Sequence, residues 1–188
     1  SGLRLRINPT RVDEWPGRAP HVEGALLLRN RVKELHSSTL LMRRDAFAKA
    51  GCYDEDLPGG YGEDWDIVLR LSRVGTIGLV REPLAEIKKD GGSYYIGKAN
   101  RTVVALEAFL AKHPEIRGSR RGYARILGQL AFQYAALGQR SKAAVTAAKA
   151  ATSWPLSPYP YVAVAQILVG DDPRRMQKAA RFFGRGMA

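Results

Sequence analysis

Apolar and polar positions alternate at the start of the chain, where Leu3, Leu5 and Ile7 are separated by Arg4 and Arg6. This period of two predicts a short strand over Leu3–Ile7. Pro9, Pro16, Gly17 and Pro20 then predict loop. From Val22 to Leu35 the residues Leu26, Leu27, Leu28 and Val32 predict a helix leading into His36-Ser37-Ser38, and Thr39–Met42 reads as a short buried strand. A short helix is expected to open at Arg43-Arg44-Asp45, with Ala46, Phe47 and Ala50 inward and Gly51 as a left-handed stop. Tyr53–Gly62 is rich in Asp, Pro and Gly and predicts a surface loop. The pattern returns to helix over Glu63–Val74, where Ile67, Val68 and Leu71 share a face and Gly75 ends the element. Strands are expected over Thr76–Arg81 and Leu84–Lys88, with a turn at Asp90-Gly91-Gly92-Ser93.

Past Gly97 the period changes to that of long helices rich in Ala and Arg. Helices are expected near 100–112, 120–137, 140–153, 158–169 and 173–183. Tyr134, Gly138, Ala143, Ala150 and Pro155 fall at the spacings of a tetratricopeptide-type helix pair, in which small residues let antiparallel helices approach closely. One such repeat reads as a packing appendage. The expected organisation is thus an α/β region of α+β-like character over 1–97, followed by an all-α helical tail over 98–188.

Composition sharpens that division. Residues 1–97 hold 15 Lys/Arg against 14 Asp/Glu, a net +1, whereas 98–188 hold 15 against 4, a net +11. A field of that kind attracts phosphates on an anionic membrane, a nucleic acid or a phosphorylated carrier. Aromatic and basic residues are not interleaved as stacking on nucleic acid requires, which makes nucleic acid the weaker partner. Cys52 is the single cysteine. It excludes an internal disulfide and is expected as a small buried packing residue in a reducing, cytoplasmic setting. No apolar run reaches the roughly 20 residues of a membrane span.

The candidate chemistry lies at Glu63-Asp64. A carboxylate fixed at the start of a helix, beneath a loop containing Gly59, Gly60 and Gly62, is suited to taking a proton from a sugar hydroxyl as it attacks. The competing role is compensation of the helix dipole. Arg70 stands one turn after Asp66 and is expected to pair with it.

Several signals occur in a fixed order. They are His36-Ser37-Ser38-Thr39 with Leu41-Met42-Arg43-Arg44; Ala50-Gly51-Cys52-Tyr53-Asp54-Glu55-Asp56-Leu57; Gly62-Glu63-Asp64-Trp65-Asp66 with Leu69-Arg70-Leu71; then Gly75, Val80, Pro83-Leu84 and Gly92-Ser93. This succession, over residues 23–97, resembles the second half of bacterial family-2 glycosyltransferases, whose nucleotide-sugar-binding fold is called GT-A. The resemblance implies an inverting transfer of a sugar from a nucleotide-sugar donor to an acceptor hydroxyl, with Asp64 as catalytic base and Glu63 orienting the acceptor. It also implies substrate-binding roles for His36, Ser37, Ser38, Gly60, Tyr61 and Trp65, with packing weighed beside the pocket-wall role for Trp65.

Two departures qualify these expectations. Family-2 enzymes place an Asp-x-Asp metal element before this region, and none stands upstream of His36; Asp64-Trp65-Asp66 has the spacing but the wrong place. Asp90 stands near a family metal-ligand position, where a turn-forming role is the plainer one. The parent enzyme is therefore expected to use Mg or Mn, and the isolated chain to bind none and to be inactive for lack of its N-terminal donor half. The expected partners are that missing half, a glycan or lipid-linked acceptor, and a second copy covering an exposed apolar edge. The expected location is cytoplasmic, peripheral at the inner face of a membrane. The alternative reading is a basic helical module that docks on an anionic membrane, nucleic acid or a protein.

Overall fold

A computed structural model describes residues 1–8, 10–17, 20–58, 62–88 and 99–169. The fold is mixed α and β. It divides into two compact units, Ser1–Tyr94 and Tyr95–Ala188.

In the first unit the alternating residues form β1 (Gly2–Asn8), the middle strand of a three-stranded sheet. It pairs antiparallel with β2 (Arg11–Trp15). The Asn8 side chain accepts hydrogen bonds from the Thr10 N–H (3.0 Å) and hydroxyl (2.9 Å), closing the turn between them. The sequence pattern predicts loop here. Asn8 makes the segment a hairpin instead, and Pro16 follows β2 rather than abolishing it. A second pair, β3 (His21–Val22) with β4 (Ile77–Gly78), is antiparallel, and β5 (Pro83–Lys88) lies parallel to β1. On the polar side of β1, Arg4 pairs with Glu14 and Arg6 with Glu86, each at 2.6 Å. Such exposed pairs contribute little to stability but fix register.

The helix expected over Val22–Leu35 is shorter. It is β3 followed by α1 (Gly24–Arg29), and Asn30 is already extended. The chain leaves the helix there, and Arg31 reaches Asp64. The strand expected at Thr39–Met42 does not form: Ser37–Thr39 is a 3-10 turn and Leu41 is fully exposed. With Leu41 exposed, this apolar run has no core to face. The short helix α2 (Arg44–Lys49) ends as expected at Gly51, whose φ is +84°. Cys52 follows with φ +57° and is exposed rather than buried, because two successive left-handed residues turn its carbonyl toward Arg70. The helix α3 (Glu63–Ser72) buries Ile67, Val68 and Leu69 and packs against α1, where Leu27 is buried.

Among the described residues the second unit is helical. It comprises α4 (Ala99–Lys112), α5 (Arg120–Ala136), α6 (Arg140–Ser153) and α7 (Tyr159–Val169). Ser119 caps α5 by accepting from the Gly122 N–H. Gly138, with φ +75°, closes its other end. There the Gly138 N–H donates to Ala135 O and the Gln139 N–H to Tyr134 O. The three-residue turn makes α5 and α6 antiparallel, and Ala143, Ala147 and Ala150 are buried on α6 where it packs on α5. On α4, Val103, Leu106, Phe109 and Leu110 are buried, and His113 is buried beside Phe109 with Nδ1 3.2 Å from Glu115. The helix expected over 173–183 and the turn over 90–93 lie outside the described residues.

Candidate functional site

The start of α3 carries its chemistry. Gly62 is left-handed (φ +84°) and offers no side-chain cap, so the first turn is served by Glu63, Asp64 and Asp66. Asp64 Oδ1 accepts the Trp65 N–H at 2.7 Å, and Oδ2 accepts Arg31 Nη2 at 2.5 Å. The carboxylate is 1% exposed. These contacts use two of its roughly four lone-pair sites.

Asp66, also 1% exposed, is held by Arg70 through Nε at 3.0 Å and Nη2 at 2.5 Å. The remaining Nη1 of Arg70 donates to the carbonyls of Ala50 and Cys52. One guanidinium thus joins the carboxylate to the turn after α2. A planar fork with several fixed donors is what this geometry requires.

Tyr53 lies one residue past that turn and packs edge-on against Phe47, with ring centroids 5.6 Å apart. Burial pushes its hydroxyl pKa above the ordinary tyrosine value, and the negative charges of Asp64 and Glu63 push it further. Tyr53 and both carboxylates therefore share one electrostatic environment, with the phenol kept protonated as a donor.

The structure places the other predicted residues differently. Trp65 is 7% exposed, and its indole N–H donates to Leu27 O at 2.9 Å, tying α3 to α1. Of the two roles weighed for it, packing is the one this geometry displays. His36 is half-buried and caps the 3-10 turn: its Nδ1 accepts the Ser38 N–H at 3.2 Å, which puts a neutral ring's proton on Nε2. Ser37 and Ser38 are exposed, and their turn packs against β5 rather than at the start of α3. Gly60, Tyr61 and Asp90 lie outside the described residues. Glu63, Asp64 and Tyr53 are thus brought together, while His36, Ser37 and Ser38 sit on a separate element.

Arg31 and Tyr53 received no role from the sequence. Tyr53 stands inside the ordered motifs, so its place was visible there. The pairing of Arg31 with a residue 33 positions away was not.

Among the described residues no group of three or more His, Cys, Asp or Glu is placed to hold a metal ion. No donor set for Mg or Mn is therefore identified in this part of the chain. No described helix is long and apolar enough to cross a membrane. No family model, curated protein or solved structure matches the chain.

Proposed function

We propose that residues 23–97 are the acceptor side of an inverting, family-2-like glycosyltransferase in which Asp64 is the base. The observation supporting this reading is the buried Asp64 carboxylate, fixed by Arg31 and the Trp65 N–H beside Glu63 and Tyr53. Dipole compensation alone is served equally well by exposed carboxylates, as Glu63 at half-burial illustrates. In the proposed reaction Asp64 removes the proton of an acceptor hydroxyl. Glu63 orients that acceptor, and the protonated Tyr53 hydroxyl lies in the field of the two carboxylates. The donor half is supplied by the parent protein, which on this reading uses Mg or Mn with the nucleotide sugar.

The test is sugar transfer by the parent protein, measured with labelled nucleotide sugars and a membrane-lipid extract as acceptor. Asp64→Asn keeps the shape and removes the base, and should lower kcat by about 10²–10⁴-fold while circular dichroism stays unchanged. Undiminished transfer by this variant would rule out the base assignment.

A second reading is favoured by the charge of the helical unit. Between 99 and 169 the acids are Glu107 and Glu115, against nine Lys and Arg. Glu107 accepts from Tyr134 and Lys142, and Glu115 contacts His113, while Arg117, Arg120, Arg121 and Arg140 are exposed. Docking on an anionic membrane predicts binding to phosphatidylserine vesicles that weakens steeply with salt. Equal recovery with phosphatidylcholine vesicles would refute it.

A further inference from the structure

The turn between α6 and α7 shows an aliphatic side chain to water. Trp154 follows the last residue of α6, and its carbonyl accepts the Ser157 N–H at 3.0 Å. That bond closes a tight turn with Pro155 and Leu156 at its centre. Pro155 suits its position, where the fixed φ presets the turn. Turn chemistry gives no such reason for Leu156, since surface turns ordinarily take Gly, Asn, Asp or Ser. Leu156 is nevertheless 80% exposed, while the next residue, Ser157, is buried.

A single exposed leucine is common and explains nothing. This one stands in a patch that the fold holds together. Arg120, at the start of α5, donates from Nε to Ser153 O at 3.0 Å, just before the turn. Arg121 sets its guanidinium 5.4 Å from the centre of the Trp154 ring. The Tyr161 hydroxyl donates to Pro155 O at 2.7 Å, and Tyr161, in the first turn of α7, is 55% exposed. The turn is therefore tied to α5 on one side and α7 on the other, with Leu156 at its tip. Between Ile116 and Val169 the chain has no Asp or Glu, and Arg117, Arg120 and Arg121 are exposed.

The chemistry of this patch selects its partner. Trp and Tyr rings settle at the headgroup level of a membrane, aliphatic side chains enter the acyl boundary, and Arg meets lipid phosphates. A single-stranded nucleic acid would also attract Arg and Trp, but it stacks on flat rings and has no use for a leucine at the outermost position. A second copy carries the same positive charge and is repelled. We propose that the turn 154–157 is the point at which the helical unit enters an anionic leaflet. Leu156 inserts, Trp154 and Tyr161 flank it at headgroup level, and Arg120 and Arg121 meet the phosphates. The proposal rests on the membrane-docking reading of the basic unit, to which it adds an orientation and an apolar anchor, and it is independent of any activity at Asp64.

The experiment is sedimentation of the full chain with vesicles of phosphatidylserine and phosphatidylcholine in equal parts. Leu156→Ala should weaken binding about tenfold, the factor expected for losing most of a buried leucine side chain. Its salt dependence should match that of the unmodified chain, because no charge is altered, and Tm should stay the same, because Leu156 is exposed in the fold. Undiminished binding by Leu156→Ala would overturn the insertion while leaving charge-driven docking intact; no binding by the unmodified chain at low salt would remove both. Insertion is read directly in a Cys52→Ser background with an environment-sensitive dye on Leu156→Cys, or on Gln139→Cys at the other end of α6. On vesicles the dye at 156 should shift to the blue and be quenched by lipid-borne spin labels, and the dye at 139 should do neither. Equal responses at the two positions would overturn the proposal. Tighter binding to a single-stranded oligonucleotide, lost in Trp154→Ala and kept in Leu156→Ala, would overturn it in favour of base stacking. A dimer in light scattering that Leu156→Ala dissolves would overturn it by making a second copy the occupant.

Discussion

Gly128 sits in the middle of α5, where a methyl group would ordinarily help. In a solvent-facing helix interior, replacing Gly by Ala stabilises by about 0.8–1.0 kcal/mol. Here a Cβ would lie 2.4 Å from Tyr159 Cβ, 3.1 Å from Tyr159 C and 3.2 Å from Pro160 N. These atoms belong to the first residues of α7 and cannot swing aside as the end of a long side chain can. Overpacking of this kind costs about 1–3 kcal/mol. With the nearest contact on a Cβ, the upper part of that range applies, and subtracting the propensity gain leaves a net loss of about 1–2 kcal/mol. Gly128→Ala should therefore lower Tm by about 5–15 °C, measured by circular dichroism at the helix band. A cycle with Tyr159→Gly isolates the cause, because removing that Cβ should recover about 1 kcal/mol in the Gly128→Ala background. A rise in Tm for the single variant, as propensity alone dictates, would refute the close approach of α5 and α7.

Arg70→Ala should destabilise the first unit by about 3–5 kcal/mol, since the Asp66 carboxylate stays buried after its guanidinium partner is removed. Arg70→Lys should recover only part of this, because one ammonium cannot bridge Asp66 and two carbonyls; urea midpoints followed by tryptophan fluorescence report both variants. Acid titration gives a separate check. The Arg6 guanidinium holds the Glu86 carboxyl below its ordinary value of 4.5, so the associated stability is present above that value and is lost as pH falls through the lowered one. Glu86→Gln should flatten the fall of Tm as pH drops below the ordinary carboxylate value of 4.5, and an unaltered slope would show that this pair carries none of it.

The parts of the fold legible in the sequence were those set by neighbours along the chain. Gly138 and the small residues Ala143 and Ala150 mark a helix–turn–helix because each acts within a turn or two, and α5 and α6 lie where that pattern puts them. Gly51 was legible for the same reason. The errors arise where a distant partner overrides a local tendency. Leu26, Leu27 and Leu28 extend a helical pattern through Val32, yet Asn30 is extended and Arg31 is paired with Asp64. Leu40, Leu41 and Met42 form an apolar run that neither joins a strand nor buries Leu41. Periodicity cannot report either outcome, because it carries no information about which segments meet.

The same distinction divides the candidate site. That carboxylates gather at the start of α3 follows from the order of residues, but their burial does not. Asp64 and Asp66 are alternate residues on one helix turn, yet each is removed from water and each has its own arginine, one from 33 residues earlier and one from the next turn. Removing a carboxylate from water costs several kcal/mol that its partner must offset, and a helix start needs no such arrangement for its dipole. The two pairs also act on different parts of the chain. Arg31–Asp64 joins the residues after α1 to the helix start, while Arg70–Asp66 reaches through the Ala50 and Cys52 carbonyls to the turn that carries Tyr53. The segments on both sides of the helix start are therefore fixed by charges that a hydrophobic core of the same size would not require. Such expense is reasonable where carboxylates must keep one position relative to a substrate, and this is the physical ground for placing the proposed chemistry at Asp64 rather than at the more exposed Glu63.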